Sequence, residues 1–289
     1  MIPTAFSYHA PRSVGDALAL LSQHGDDARL LAGGHSLLPM MKLRFAAPGH
    51  LIDLGKIDGL KGIRQVGNAI HIGAMTTENE LIWSKLVQDK LPLLVEGART
   101  ISDPQVRYRG TLGGDIAHGD PGNDHPALML ALGASFVATG PEGERVLPAD
   151  GFFLGTYETQ LAAGDILTEI RIPVPAAGSG YCYAKLKRKI GDYATAAAAA
   201  VLLQMKGDTV SGVTIALTNV GATALKAGAA ESFLKGKRLD DASINEAARL
   251  AMSICDPAAD QRGDVQYKTA MAGEMTVRAL RIAASRAAR

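Results

Sequence analysis

The chain has 289 residues, of which 47% are hydrophobic, and its 30 basic and 29 acidic residues leave a formal net charge of +1. This length is sufficient for two or three packed domains, and the composition is that of a folded protein rather than a disordered one. The balanced charge argues against a nucleic-acid-binding protein and against attraction to an anionic membrane surface.

Cysteine content and hydropathy narrow the class further. The two cysteines, Cys182 and Cys255, are too few for a disulfide framework, a zinc ribbon or an iron–sulfur cluster, which normally takes four thiolates. Any metal chemistry is therefore expected in a partner chain. The first residues lack the pattern of a secretory signal, and no run of about eighteen apolar residues predicts a transmembrane segment. We expect a cytosolic protein.

The N-terminal elements follow from capping residues and apolar spacing. A first helix is predicted between Ser13, which suits a helix cap, and Gly25. A short apolar strand follows over residues 28–32 and leads into a glycine turn. Ser36 is predicted to cap a helix over residues 37–41. A strand, a glycine turn and a helix start in this order form a plausible phosphate site.

The middle of the chain alternates short strands and helices. Strands are predicted at residues 51–54, 135–139, 144–147 and 166–173, a hairpin over 62–73, and helices at 77–86, 92–101 and 125–132. Residues 115–124 are predicted to form a polar loop, and a loop of this polarity normally faces solvent or a ligand.

The C-terminal part begins after a cluster of proline, glycine and serine at residues 175–180, which we take as a domain boundary. The alanine-rich segment 194–205 is undecided by propensity, because its small residues favour a helix while its later residues favour a hairpin with residues 210–217. Amphipathic helices are predicted at 243–254 and 266–286.

Two glycine pairs are the candidate ligand-binding features. Each pair, in residues 32–36 and 111–115, has a neighbouring hydroxyl, from Ser36 and Thr111. Glycine adopts positive φ and lets a ligand approach the backbone, so bare N–H groups and hydroxyls at both sites suit a diphosphate. The alternative is two tight turns of purely structural role. The chain lacks a P-loop motif and the complete dinucleotide fingerprint, so a nucleotide would need a less common fold.

Four runs of residues carry a family resemblance. They are AGGHSLLPMMK at 32–42, TLGG at 111–114, GDPGND at 119–124 and KLKRKIGDYAT at 185–195. Together they closely resemble the medium, FAD-binding subunits of aerobic molybdenum-containing carbon monoxide dehydrogenases. The resemblance covers essentially the whole chain and extends to the wider xanthine dehydrogenase flavoprotein family.

The resemblance implies an α+β fold of PCMH type. It implies an FAD-binding region over residues 1–177, made of two α+β subdomains (about 1–55 and 56–177), and a C-terminal domain over 178–289. In the C-terminal domain, a three-stranded antiparallel sheet packs against a helical bundle. Segment 194–205 is then assigned to a strand.

The resemblance also implies roles for individual residues. The FAD pyrophosphate is expected at Ala32, Gly33, Gly34, His35, Ser36 and Leu37 and at Thr111, Gly113 and Gly114. The ribose and adenine are expected near Asp124, with His118 and Gly122 close by. The isoalloxazine is expected near Ile101, Leu167, Lys185, Asp192 and Tyr193. A tyrosine stacked on the ring would shield it and help set its potential.

One position departs from the family pattern. The family usually has asparagine after the second glycine pair, where this chain has Asp115. An ionised carboxylate only accepts hydrogen bonds and repels phosphate, so we expect only the Asp115 backbone N–H to contribute to binding.

The function implied is electron transfer rather than substrate oxidation, with no catalytic residue and no metal ligand in this chain. By resemblance, a large subunit with a molybdenum–copper centre on molybdopterin oxidises carbon monoxide with water, and a small subunit with two [2Fe–2S] clusters passes the electrons on. FAD in this chain would deliver them to an external acceptor, a quinone. A dimer of heterotrimers is expected, associated peripherally with the inner face of the cytoplasmic membrane.

Two alternative functions remain open, one with another substrate and one without electron transfer. The first is the flavin subunit of another molybdenum hydroxylase that acts on a purine, an aldehyde or an aromatic compound. The second is a non-catalytic scaffold subunit in which both glycine turns are only structural.

Overall fold

The computed structural model describes residues 2–288, and the side chains of all of these except residues 197–200. Residues 1 and 289, the outer limits of the predicted domains, lie outside the described part. The N-terminal elements are β1 (Ser7–His9), α1 (Val14–His24), β2 (Ala28–Leu31), α2 (Leu37–Leu43) and β3 (His50–Asp53). The strands form a parallel sheet in the order β1-β3-β2.

A small core holds α1 against this first sheet. Ser13 accepts a hydrogen bond from the Asp16 N–H, which confirms the predicted cap of α1. Ala17 of α1 and Ile52 of β3 are both fully buried in this core. Ser36 lies at the N-cap position of α2, but its side chain makes no capping hydrogen bond because its backbone is already helical. The predicted Ser36 cap is therefore wrong.

The middle of the chain forms a second, five-stranded sheet in the order β4-β5-β10-β6-β7. The elements of this region, in chain order, are β4 (Ile63–Val66), β5 (Ala69–Gly73), α3 (Glu78–Trp83), α4 (Lys85–Lys90), α5 (Pro92–Thr100), α6 (Pro104–Arg107), α7 (Leu112–His118), α8 (His125–Leu132), β6 (Ser135–Gly140), β7 (Gly143–Pro148), β8 (Phe153–Gly155), β9 (Glu158–Thr159) and β10 (Ile166–Pro173). Strands β8 and β9 pair with each other in a separate two-stranded sheet. Every residue of α8 is buried, because this helix contacts β10 on one side and the C-terminal strands on the other.

Two predictions in this region are wrong. The helix predicted over 77–86 is divided at Ser84, which has extended backbone angles and caps α4 by accepting from the Val87 N–H. The polar loop predicted over 115–124 is shorter, because Asp115 to His118 belong to α7. Thr111 caps this helix, so a serine- or threonine-capped helix start was mistaken for a loop.

The C-terminal elements are β11 (Gly180–Leu186), β12 (Ala196–Lys206), β13 (Thr209–Leu217), β14 (Leu225–Lys226), α9 (Gly228–Leu234), α10 (Asp241–Met252) and α11 (Val265–Arg286). Three long antiparallel strands and the two-residue β14 form the third sheet, in the order β11-β12-β13-β14. Helix α11 packs against β11, β12 and α10.

The α+β class is confirmed, and so is the strand assignment of the alanine-rich segment, although the side chains of residues 197–200 are outside the description. The predicted three-stranded sheet is correct for its long strands and omits β14. The division after residue 177 falls in the connection between β10 and β11 and stays a prediction. Within residues 2–288, no helix is long and apolar enough to cross a membrane.

Candidate functional site

A cleft of about 970 Å³ lies between the first sheet, α7 and the chain around β10 and β11. Its size is at the upper end for small-molecule and cofactor sites. Every residue predicted for the site lines this cleft except Gly122. The Gly122 N–H donates to Asp120 at 2.8 Å, and a Cβ at this glycine would lie 3.3 Å from the Tyr193 ring. A side chain at position 122 would therefore crowd the Tyr193 ring.

The first glycine segment, residues 32–37, presents free backbone donors. Among residues 2–288, no acceptor receives the N–H groups of residues 33–37, although the Gly34 carbonyl accepts from Leu38 at 3.1 Å. Gly34 has φ +78°, a left-handed conformation that favours glycine. These unpaired N–H groups line the cleft at the start of α2 and are available to an anion.

The second glycine segment, residues 111–115, is different. Its N–H groups from residue 112 onward are all engaged: Gly113 donates to the Ala74 carbonyl at 2.9 Å, and Gly114 donates to the Thr111 hydroxyl at 3.2 Å. The prediction that this segment offers bare N–H groups is wrong, because they pair with the chain after β5 and within α7. The Thr111 hydroxyl hydrogen remains available to a ligand.

The first glycine segment packs against the chain around Arg109, just before the second segment, and against Gly114 within it. A Cβ at Gly33 would lie 2.4 Å from the Arg109 carbonyl oxygen, and one at Gly114 would lie 3.2 Å from the Ala32 Cβ. The contact at Gly33 leaves no room for a side chain, whereas the contact at Gly114 would require Ala32 to shift by a few tenths of an ångström. The segments therefore form two adjoining walls of one cleft.

Asp124 and Lys185 form a buried ion pair further along the cleft. The Lys185 Nζ lies 2.7 Å from Asp124 Oδ2, and the two side chains are only 3% and 6% exposed. Tyr183 donates its hydroxyl to the other carboxylate oxygen, and burial beside Asp124 raises the pKa of Tyr183 well above its usual range. The resemblance places Asp124 by the adenine and Lys185 by the flavin, but this contact puts both side chains at one place in the cleft.

A second buried pair joins the first residues of two helices, Glu78 of α3 and His125 of α8. His125 Nε2 is 2.8 Å from both carboxylate oxygens of Glu78, and both residues are almost fully buried. Burial alone would lower the pKa of His125, but the Glu78 carboxylate raises it to about 9. His125 therefore keeps its proton at neutral pH and donates from Nε2 to the Glu78 carboxylate.

Asp115 has no such partner. Its Oδ1 is buried without a hydrogen bond in the described part of the chain, and burial raises the pKa of Asp115 to about 8. The carboxyl is therefore neutral at pH 7 and has a proton to donate. The expected repulsion of phosphate assumed an ionised side chain, whereas burial of Asp115 favours the protonated carboxyl.

The other end of the cleft is formed by the segment before β12, with Ile101 and the buried Leu167 of β10 among its lining residues. Asp192 accepts from Arg262 at 2.8 Å and from the Tyr193 N–H at 2.9 Å, so its carboxylate fixes the backbone at Tyr193. The Tyr193 ring is 46% exposed, and its burial on the other side raises the pKa of its hydroxyl to about 12.

The structure adds lining residues that sequence reasoning missed, among them Arg29 and Tyr157. Arg29 is the one charged residue in the otherwise apolar strand 28–32, and this charge was the sequence feature that could have identified it as a lining residue. The Tyr157 ring lies against His118, with centroids 4.8 Å apart and the planes tilted by 37°, and Tyr157 has φ +61°, which no sequence pattern indicated. The Arg29 Nη1 donates to the carbonyls of Asp26 and Ala28 at 2.9 and 2.7 Å, so this cation lies in the cleft wall at the start of β2.

Comparison with known proteins agrees with this architecture. Residues 4–175 match the family of FAD-binding domains in molybdopterin dehydrogenases, and residues 181–283 match the C-terminal domain of carbon monoxide dehydrogenase flavoproteins. The chain is 59% identical over 288 residues to the carbon monoxide dehydrogenase medium chain of Hydrogenophaga pseudoflava, with complete coverage of both.

Solved structures give the same result. Carbon monoxide dehydrogenase from Hydrogenophaga pseudoflava matches with a TM-score of 0.98 at 61% identity and complete coverage of both chains. Quinoline 2-oxidoreductase from Pseudomonas putida 86 matches with a TM-score of 0.93 at 35% identity, covering 99% of each chain.

The chain therefore belongs to the FAD-binding subunits of the molybdopterin dehydrogenases. Within that class it belongs with the carbon monoxide dehydrogenase flavoproteins, as both domain matches and the whole-chain identity show, and it is the medium chain of a multi-subunit oxidoreductase. The resemblance and the expected cofactor are confirmed. The free donors of residues 33–37 and the close approach at Gly33 fit FAD.

Proposed function

We propose that this chain is the electron-transfer subunit of an aerobic carbon monoxide dehydrogenase, holding FAD in the cleft described above. The observation that carries the proposal is the identity of 59% to a carbon monoxide dehydrogenase medium chain over the full length of both proteins. When bound, FAD supplies reversible one- and two-electron chemistry, and the chain supplies position and electrostatics.

The first glycine segment holds the pyrophosphate. Five successive N–H groups at residues 33–37 can donate to phosphate oxygens, and Arg29 adds a cation from the neighbouring strand. The Thr111 hydroxyl donates from the opposite wall. The neutral Asp115 carboxyl donates one hydrogen bond, in the way that the amide of asparagine does.

The segment before β12 orients the isoalloxazine. Tyr193 offers a ring face, and Asp192 with Arg262 holds its backbone in place. Ile101 and Leu167 supply apolar contacts that exclude water. The ion pair of Lys185 and Asp124 supplies a fixed dipole at this end, because both charges are buried and neither side chain is free to turn away.

The partners follow from the same proposal. A large subunit oxidises carbon monoxide at a molybdenum–copper centre, a small subunit relays electrons through two [2Fe–2S] clusters, and a quinone takes the electrons from the flavin. The complex is a dimer of heterotrimers in the cytoplasm, peripherally associated with the membrane.

The test is reduction of the flavin by the candidate substrate. The complex of this chain with its large and small partners is purified anaerobically, and flavin absorbance is followed after addition of carbon monoxide. We expect bleaching with carbon monoxide and none with xanthine, an aldehyde or quinoline. Bleaching by one of those compounds instead would assign the chain to another hydroxylase. A folded complex without flavin would leave only the scaffold function.

A further inference from the structure

Three of the seven histidines meet at one end of the first sheet, away from the residues assigned to FAD. His9 is the last residue of β1, His24 is the last residue of α1, and His50 is the first residue of β3. All three are half-buried. Among residues 2–288, they make up the group of His, Cys, Asp or Glu side chains whose spacing suits a metal ion.

The three imidazole rings are close enough to share one ion. One nitrogen of each ring lies within 4.8 Å of the others, and His9 Nε2 is 3.0 Å from His50 Nδ1. The ring centroids of His24 and His50 are 3.6 Å apart, and the His9 centroid is 5.3 Å from each. Three imidazoles on zinc at about 2.0–2.1 Å would have nitrogens about 3.4 Å apart in a tetrahedron. The rings now lie within 12–30° of parallel, so on binding they would turn about their side-chain bonds until one nitrogen of each points at the ion.

A carboxylate stands behind one of the histidines. Asp27 Oδ1 accepts from the Gly49 N–H at 2.9 Å, which holds the side chain in place, and its Oδ2 lies 4.0 Å from His50 Nε2. A carboxylate in this position favours the tautomer protonated on Nε2. His50 Nδ1 is then a lone-pair donor that faces His9, and this pairing of carboxylate with histidine is usual behind metal ligands.

We propose that His9, His24 and His50 bind one divalent transition-metal ion, of which Zn²⁺ is the best match, with water in the fourth position. Imidazole nitrogens suit zinc, whereas Mg²⁺ and Ca²⁺ take oxygen ligands. The ion joins α1 to β1 and β3. Since Leu18 and Leu21 of α1 line the large cleft, the metal would stabilise one wall of that cleft. This proposal does not depend on the substrate of the complex.

The test is zinc binding to the full chain without a histidine tag. After treatment with a chelator, the protein is titrated with ZnCl₂ in a calorimeter, and we expect one ion per chain and a higher melting temperature. His9→Ala, His24→Ala and His50→Ala should each weaken binding at least about tenfold, and Asp27→Asn about tenfold. Asp27 is exposed, so its variant should fold normally.

The matched control is His71→Gln. His71 pairs with Glu169 at 2.8 Å in the second sheet, and this variant should bind zinc like the parent protein. Titration with CoCl₂ gives an independent readout, because a tetrahedral site shows strong visible absorption bands. MgCl₂ should give no signal. Absence of zinc binding, or binding that survives all four variants at the histidines and Asp27, would show that the rings only stack.

Discussion

The two glycine segments look alike in sequence and differ in what their backbone does. In residues 32–37 the N–H groups from residue 33 onward have no acceptor within the described part of the chain, whereas in residues 111–115 those from residue 112 onward donate to other residues of the chain. The difference comes from their neighbours. The second segment runs beside the chain that follows β5, whose carbonyl groups accept some of its N–H groups. The segment also begins helix α7, and the remaining N–H groups donate to the helix cap. A glycine pair with a hydroxyl therefore indicates close packing, and only free N–H groups indicate an anion site.

The largest effect is expected from Gly33→Val. The new Cβ would lie 2.4 Å from the Arg109 carbonyl oxygen, so the first segment must move away from Arg109 and its N–H groups would shift out of place in the cleft. We expect FAD content to fall below about a tenth of the parent value, together with a loss of about 1–3 kcal/mol in the free energy of unfolding from overpacking. Flavin absorbance per chain after desalting and urea unfolding measure the two effects.

The matched control for that variant is Gly59→Val. Gly59 has no atom within 4 Å of its ideal Cβ position, and its φ lies outside the left-handed region. This variant should keep its FAD and its stability within about 0.5 kcal/mol. Normal flavin content in Gly33→Val would contradict the assignment of the pyrophosphate to the first segment.

The next largest effect is expected from Asp115→Asn in the second segment, which should change how the free energy of unfolding depends on pH. Folding raises the pKa of this carboxyl to about 8, so the folded chain keeps a proton that the unfolded chain releases near pH 4. The free energy of unfolding therefore falls as pH rises between these values, by up to about 1.4 kcal/mol per pH unit. Asp115→Asn removes this loss, and its advantage over the parent should grow from pH 5 to pH 8.

Urea unfolding at four pH values measures this advantage. His125, whose pKa is raised to about 9, contributes stability that is lost above its ordinary pKa in both proteins. Glu78 contributes more to this raised pKa than Asp115 does, so the His125 contribution changes less than that of Asp115 itself. Parallel pH profiles for the two proteins would show that Asp115 is ionised in the fold.

Sequence patterns predicted much of the fold because those elements are decided locally. The hairpin at residues 62–73, the strand over 166–173 and the helix over 125–132 agree with the structure. The division at Ser84 and the helix at residues 112–118 were missed, because each depends on one residue adopting extended angles before a new helix start.

The resemblance predicted which residues line the site, but not their hydrogen bonds or protonation states. The resemblance brought together residues from distant segments, and the structure places all but Gly122 along one cleft. Which N–H groups are free, the proton on Asp115 and the contact between Lys185 and Asp124 depend on tertiary packing, and no local pattern encodes them. The histidine cluster was missed for the same reason.

A smaller effect is expected from Thr111→Val, which tests the structural role of the second segment. Thr111→Val keeps the shape of the side chain and removes the acceptor for the Gly114 N–H, which caps α7. We expect a loss of about 0.5–2 kcal/mol in the free energy of unfolding, as for other helix caps. FAD affinity should also fall, because the lost hydroxyl proton faces the cleft. Unchanged stability would mean that the Gly114 N–H finds another acceptor.

The smallest effect is expected from Ser36→Ala, the corresponding change in the first segment. The Ser36 side chain makes no capping hydrogen bond, so the free energy of unfolding of the FAD-free chain should change by less than about 0.5 kcal/mol. The hydroxyl is free to donate to phosphate, and its loss should weaken FAD binding by about 0.5–1.5 kcal/mol, or roughly three- to tenfold. Fluorescence titration of the FAD-free chain measures this change. If Ser36→Ala lowers stability as much as Thr111→Val does, the two hydroxyls share one structural role and the contrast between the segments is lost.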